Sequence, residues 1–231
     1  MSKHPHFLIA VTVGVGIQPT AIAVVEQEVL KDDRWHEETG ILRLKHLERM
    51  ELSASYPDIV ARISMLLETP EIKDGERCGG AQVVLDVTGS GRAIVGLFER
   101  AEIKPVVVTI TGAGVREEQI KFNDWRVPKV ELVGALRVVY ETRRLKMAKN
   151  IALLPTLVNE IRDFKMRPPR IDPSAPETWR DGQFDDLVFA VALAVWRADR
   201  HVPTPQVIRD EWDRRPSNLH AQRTKYSWMG G

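Results

Sequence analysis

Apolar residues run almost unbroken from Phe7 to Val13, stop at the turn Gly14-Val15-Gly16-Ile17-Gln18-Pro19, and resume at Ala21. This pattern predicts a buried strand over Phe7–Val13 and a second over Ala21–Glu28, joined as a hairpin. From Leu42 to Lys45 the chain alternates, with Leu42 and Leu44 apolar and Arg43 and Lys45 charged, which predicts a third, half-buried strand. Between Tyr56 and Glu68 the spacing of Ile59, Val60, Ile63, Leu66 and Leu67 becomes that of an amphipathic helix, with Pro57 in its first turn.

The polar, glycine-containing segment Glu71–Gly80 predicts a loop. Gln82–Val87 and Pro105–Thr111 are short, nearly all-apolar runs of the kind found in buried parallel strands. A helix from Arg92 to about Glu102 separates them, making a βαβ unit. Two more helices are predicted, Lys129 to about Arg144 and Ile151 to Phe164, followed by a proline-rich loop from Pro168 to Pro176. A last helix runs from about Asp185 to Arg200. Its residues Leu187–Trp196 are apolar on nearly every face, so it belongs deep in the core. The expected organisation is one domain over 1–200 and a polar tail or docking arm over 201–231.

The bulk numbers narrow the function classes. A length of 231 residues suits one large domain, and a net charge of +1 gives no global field toward nucleic acid or membrane. DNA contact would have to come from local patches. A single cysteine, Cys78, precludes an internal disulfide, and the expected compartment is a cytoplasm. No run reaches the ~20 apolar residues of a membrane-spanning helix. No phosphate loop, zinc spacing or G-x-S-x-G elbow is present.

Some residues nevertheless have the chemistry of a site. Asp86 ends the strand Val83-Val84-Leu85-Asp86, at the edge where open α/β sheets bind ligands. It is either a ligand or a cap on the next helix. Asp185-Asp186 opens the buried last helix. The pair either satisfies the helix dipole or contributes to a carboxylate cluster of the sort that hard divalent ions need. Thr88-Gly89-Ser90-Gly91 is either a phosphate cradle or an ordinary strand-to-helix turn. Arg137, Arg143, Arg144, Lys146 and Lys149 are either a solvated face or a set of DNA phosphate contacts. A second basic run, Arg162, Lys165, Arg167 and Arg170, allows the same two readings.

Taken together, four stretches resemble the nuclease domain of phage terminase large subunits. They are Pro19-Thr20-Ala21-Ile22-Ala23-Val24-Val25-Glu26, Leu85-Asp86-Val87-Thr88-Gly89-Ser90-Gly91, Val127-Pro128-Lys129 leading into Leu132-Val133-Gly134-Ala135-Leu136, and Phe184-Asp185-Asp186-Leu187-Val188-Phe189-Ala190-Val191-Ala192-Leu193-Ala194. They occur in the family's order, between about residue 7 and residue 200. The resemblance implies an α/β fold of the ribonuclease-H-like kind: a mixed sheet, antiparallel in its first three strands and then parallel, flanked by helices. It also implies a divalent-metal-dependent DNA endonuclease of phage DNA packaging. Two Mg²⁺ or Mn²⁺ ions would be held by Asp86, Asp185 and Asp186, which would be both metal ligands and catalytic residues. Double-stranded DNA is the implied substrate. A separate terminase ATPase, the small terminase subunit or the portal protein is the implied protein partner, and the chain is expected to lack the family's ATPase domain. The compartment would be the host cytoplasm.

Three positions depart from the pattern. Thr12 stands where the family has a first-strand Asp, Gln18 where an Asp commonly precedes Pro-Thr, and Phe184 where a His is frequent. A neutral hydroxyl cannot replace a bridging carboxylate's charge. Glu26 and Glu28 are the nearest acids that could compensate, and Thr12→Asp is the change expected to raise cleavage. Two functions therefore stay open: a metal-dependent endonuclease, or a catalytically degenerate DNA-binding or packaging-assembly module of the same fold. A junction-resolvase-like enzyme is a third, which the closing helix argues against.

Overall fold

A computed structural model of the chain describes residues 5–14, 16–31, 37–76, 80–89, 92–112, 114–164 and 185–200. Among the described residues, eight strands form one sheet in the order β6-β7-β5-β4-β1-β2-β3-β8. The strands are β1 (Pro5–Thr12), β2 (Ala21–Lys31), β3 (Glu37–Arg49), β4 (Ala81–Asp86), β5 (Val106–Thr111), β6 (Glu118–Lys121), β7 (Asp124–Pro128) and β8 (Leu145–Met147). β1 lies between β2, which it meets antiparallel, and β4, which it meets parallel. β3 is antiparallel to β2, and β5 is parallel to β4. The core order β3-β2-β1-β4-β5 is thus the ribonuclease-H-like arrangement, with Phe7–Thr12 in the central strand and Val13 just past its end.

The apolar run of β1 is explained by burial on both faces. Leu8 and Ala10 point into one core, and Phe7, Ile9 and Val11 into the other. The second core is closed by α1 (Tyr56–Leu67), α2 (Pro70–Glu76) and α3 (Arg92–Arg100). The first is closed by α4 (Lys129–Glu141), α5 (Leu154–Asp163) and α6 (Asp186–Arg200). α6 lies against β1, β2, β3 and β4 on one side and α4 on the other. That double cover buries Asp186–Ala198 throughout and accounts for its all-round apolar sequence. Ala10, Ala21 and Ala23 below it, and Ala190, Ala192 and Ala194 within it, keep side chains small where helix and sheet meet.

Several sequence expectations need correction. The segment read as a loop after Glu71 begins with a helix, α2, which Pro70 opens in the position where a missing N–H costs nothing. β3 extends far beyond Leu42–Lys45 in both directions. The β6–β7 hairpin and β8 were not anticipated, and α4 stops at Glu141, short of Arg144. The proline-rich loop, Lys165, Arg167, Arg170, Cys78, Phe184 and the tail over 201–231 lie outside the described residues. Among the described residues, no helix is long and apolar enough to cross a membrane.

Candidate functional site

One row of residues crosses the sheet where β1 and β4 end. Asp86 on β4 pairs with Thr12 on β1, Thr12 with Ala21 on β2, and Ala21 with Arg49 on β3. Side chains alternate along a strand. Val84, Ala10, Ala23 and Leu47, two positions away on each strand, all belong to the core beneath α6. Asp86, Thr12 and Arg49 therefore project toward α6 as well, and the start of α6 closes over the row. The Asp185 carbonyl accepts the Phe189 N–H at 3.0 Å, so Asp185 sits at the helix cap and Asp186 in the first turn. The Thr12 hydroxyl lies 3.3 Å from the Asp186 carbonyl and 3.4 Å from that of Ala21, within donating distance of each. Asp86 and Asp186 thus flank Thr12 on one face.

Each acid is already engaged. Arg49 grips Asp186 bidentately, with Nε 2.7 Å from Oδ2 and Nη2 2.8 Å from Oδ1. The same Nη2 bonds Glu160 of α5. Burial works against the charge on Arg49, but Asp186 and Glu160 outweigh it and raise its pKa above the ordinary value. Burial and the nearby Asp186 push Glu160 up to about 7, with Arg49 pulling the other way. Asp185 has Lys129 Nζ 3.6 Å from Oδ2. That ammonium also lies 4.7 Å from the Phe189 ring centroid and 5.1 Å from that of Phe164, both cation–π distances. Asp86 Oδ1 accepts the Thr88 N–H at 2.8 Å and the Thr88 hydroxyl. Thr88 Oγ1 in turn accepts the Ile110 N–H at 2.9 Å, tying the end of β4 to β5. The Thr88 N–H, one donor of the supposed phosphate cradle, is consumed by this turn.

These residues do not fit a two-metal centre as they stand. Thr12 brings no charge, both Asp186 oxygens face a guanidinium, and Asp185 faces an ammonium. Among the described residues no group of three or more acidic, His or Cys side chains is placed to hold an ion. Glu26 and Glu28 do not compensate. They lie on the β2 face opposite Ala21 and Ala23, roughly 17 Å or more along the strand from Ala21, and pair with Arg43 at 3.3 and 2.7 Å.

The basic cluster stands apart from the acids. Arg144 pairs at 3.6 Å with Asp199, near the far end of α6, about 20 Å along that helix from Asp186. Arg143 and Lys146 lie within two residues of Arg144 in the chain and are exposed, as is Lys149. Arg137 pairs with Glu141 at 2.7 Å on the outer face of α4. Of the second basic run, Arg162 is described: it is exposed and donates to Asn159 Oδ1 at 2.9 Å.

Arg49, Glu160 and the role of Lys129 escaped the sequence reading. The one available signal was an arginine two residues after Leu47, on a strand that the pattern ended too early.

No family profile and no curated protein matches the chain. Solved structures do. The large terminase nuclease from thermophilic phage G20c aligns over 82% of this chain and 81% of its own, at 20% identity and a TM-score of 0.50. The chain shares the fold of that nuclease. The human cytomegalovirus terminase nuclease domain, Mn soaked and inhibitor bound, aligns over 85% of this chain and 84% of its own, at 10% identity and a TM-score of 0.50. On this fold, Asp86 ends β4 in the row that also holds Thr12 and Arg49, and Asp186, in the first turn of α6, lies over that row.

Proposed function

We propose that the chain is a terminase-like DNA-handling module of phage DNA packaging, in which the nuclease fold is kept and metal-dependent cleavage is weakened. The observation that carries this reading is the bidentate Arg49–Asp186 pair at the point where sheet and helix bring acids together. Two-metal hydrolysis of a phosphodiester needs carboxylate oxygens to offset four positive charges within one small pocket. Here Arg49 and Lys129 already offset two of the carboxylates, and Thr12 supplies none. Double-stranded DNA is the partner this reading implies, with Arg137, Arg143, Arg144, Lys146 and Lys149 as phosphate contacts. A separate terminase ATPase, a small terminase subunit or a portal protein would supply the rest of the packaging machinery.

A second reading is an endonuclease using Mg²⁺ or Mn²⁺ at Asp86, Asp185 and Asp186. The adjacency of Asp86, Thr12 and Asp186 favours it, and it requires Arg49 to leave Asp186. One experiment separates the two. Purified full-length chain is incubated with supercoiled plasmid and Mn²⁺, while duplex binding is followed by fluorescence anisotropy. Binding without nicking is the expected result. Nicking that Asp86→Ala abolishes would establish the second reading, and no binding even at low salt would overturn the first.

A further inference from the structure

The relation of Arg49 to the acids goes beyond weakening a site. We propose that Arg49 is a resident counter-cation standing in for divalent metal at the acidic end of the sheet, so that this pocket takes no Mg²⁺ or Mn²⁺ while Arg49 is in place. The proposal deepens the reading above and rests on it for the fold. A hard divalent ion is held through carboxylate oxygens. Both oxygens of Asp186 are instead occupied by the planar fork of a guanidinium, whose geometry matches a carboxylate and whose charge persists at any working pH.

The pair has the character of a built site. The Arg49 side chain is 23% exposed, and those of Asp186 and Glu160 are 6% and 8% exposed. Register places Arg49 on the same row as Thr12, two strands away. The two departures from an acidic site are therefore matched: Thr12 removes a negative charge from the row, and Arg49 adds a positive one. Lys129 does the corresponding work at Asp185, held against the rings of Phe164 and Phe189. A cation tethered to the sheet is always present at high effective concentration. A dissolved ion would have to displace it and leave a partly buried guanidinium with Glu160 alone.

The test is a titration of Mn²⁺ into the full chain without DNA, following the free-ion signal by electron paramagnetic resonance and thermal unfolding in parallel. Omitting DNA keeps failure of this proposal separate from failure of the DNA-handling reading. The parent is compared with Arg49→Met and with Arg49→Met/Glu160→Gln, the latter avoiding two unpaired buried acids. The parent should leave the Mn²⁺ signal and its own melting temperature unchanged. Either variant should bind Mn²⁺ about tenfold tighter or more and melt higher with it, and adding Asp186→Asn should cancel the gain. A parent that itself binds Mn²⁺, with a binding that Asp186→Asn removes, overturns the proposal whether or not the variants fold. So do folded variants that gain no affinity.

Discussion

Thr12 and Asp86 are direct partners across the parallel β1–β4 ladder, and both side chains project beneath the start of α6. They are 4% and 1% exposed. The Thr12 hydroxyl faces two carbonyl oxygens, so an aspartate there would set acceptors against acceptors beside a second carboxylate. Thr12→Asp should lower the unfolding free energy by about 2–3 kcal/mol in urea at neutral pH, and Thr12→Val by about 1 kcal/mol. The structure also revises what restoring the acid achieves. Because Arg49 still holds Asp186, Thr12→Asp alone should leave supercoiled plasmid intact with Mn²⁺. Thr12→Asp/Arg49→Met is the combination expected to nick it.

Glu160 gives the acidic end a pH dependence of definite sign. Its folded pKa is raised from 4.5 to about 7, first by burial and then by Asp186. The folded state therefore holds this proton more tightly than the unfolded chain. The resulting contribution to stability is full below about pH 4.5 and is lost as pH rises through about 7. Glu160→Gln keeps the neutral form at every pH. It should match the parent near pH 4 and exceed it by about 2 kcal/mol at pH 8. Urea unfolding at the two pH values checks this, and a parallel offset at both would contradict it.

β1, β4 and β5 were legible because burial on both faces leaves an apolar run that little else in a soluble chain produces. Asp185-Asp186 was legible because an all-apolar helix fixed the position of the acids before it. Arg49 was hidden by a register shift. Leu44 and Leu47 both face the α6 core, an odd spacing that simple alternation forbids, and the pairing with β2 slips between Val24 and Val25 to allow it. Without that bulge, Arg49 would be assigned to the wrong face. The Arg49–Glu160 contact joins residues 111 apart, and no local pattern encodes such a distance. The β6–β7 hairpin was missed for the opposite reason: its outer strand, Glu118–Lys121, is largely exposed and too short to show a period.

Gly14 sets the turn that brings Thr12 opposite Ala21. A Cβ there would lie 2.2 Å from the Gln18 carbonyl oxygen and 2.7 Å from the Thr20 nitrogen, both backbone atoms that cannot swing away. The Gly14 N–H also donates to Thr20 Oγ1 at 3.0 Å. Gly14→Ala should therefore cost about 3 kcal/mol or more in urea unfolding. Gly16 is the internal control. It has open space around it but a φ of 65°, so Gly16→Ala should cost only about 1 kcal/mol. Equal costs would mean that crowding at Gly14 is relieved by movement of the turn.

The basic residues near the far end of α6 give the last prediction. With a net charge of +1, the chain has no long-range pull on DNA, so binding must come from local cations. Arg143, Lys146 and Lys149 are exposed, whereas Arg144 pairs with Asp199 and Arg137 with Glu141. If the exposed three contact phosphates, each releases counterions on binding. The slope of log K against log salt should then fall in magnitude by about 0.9 for each one removed. Arg143→Ala/Lys146→Ala/Lys149→Ala should weaken binding to any duplex alike and flatten the slope by about 2.7. Asp199→Ala should act oppositely, removing a negative charge beside Arg144 and strengthening binding at low salt. Binding measured by anisotropy over a salt series checks both. A triple variant with an unchanged slope would move the DNA-contacting surface away from this end of α6.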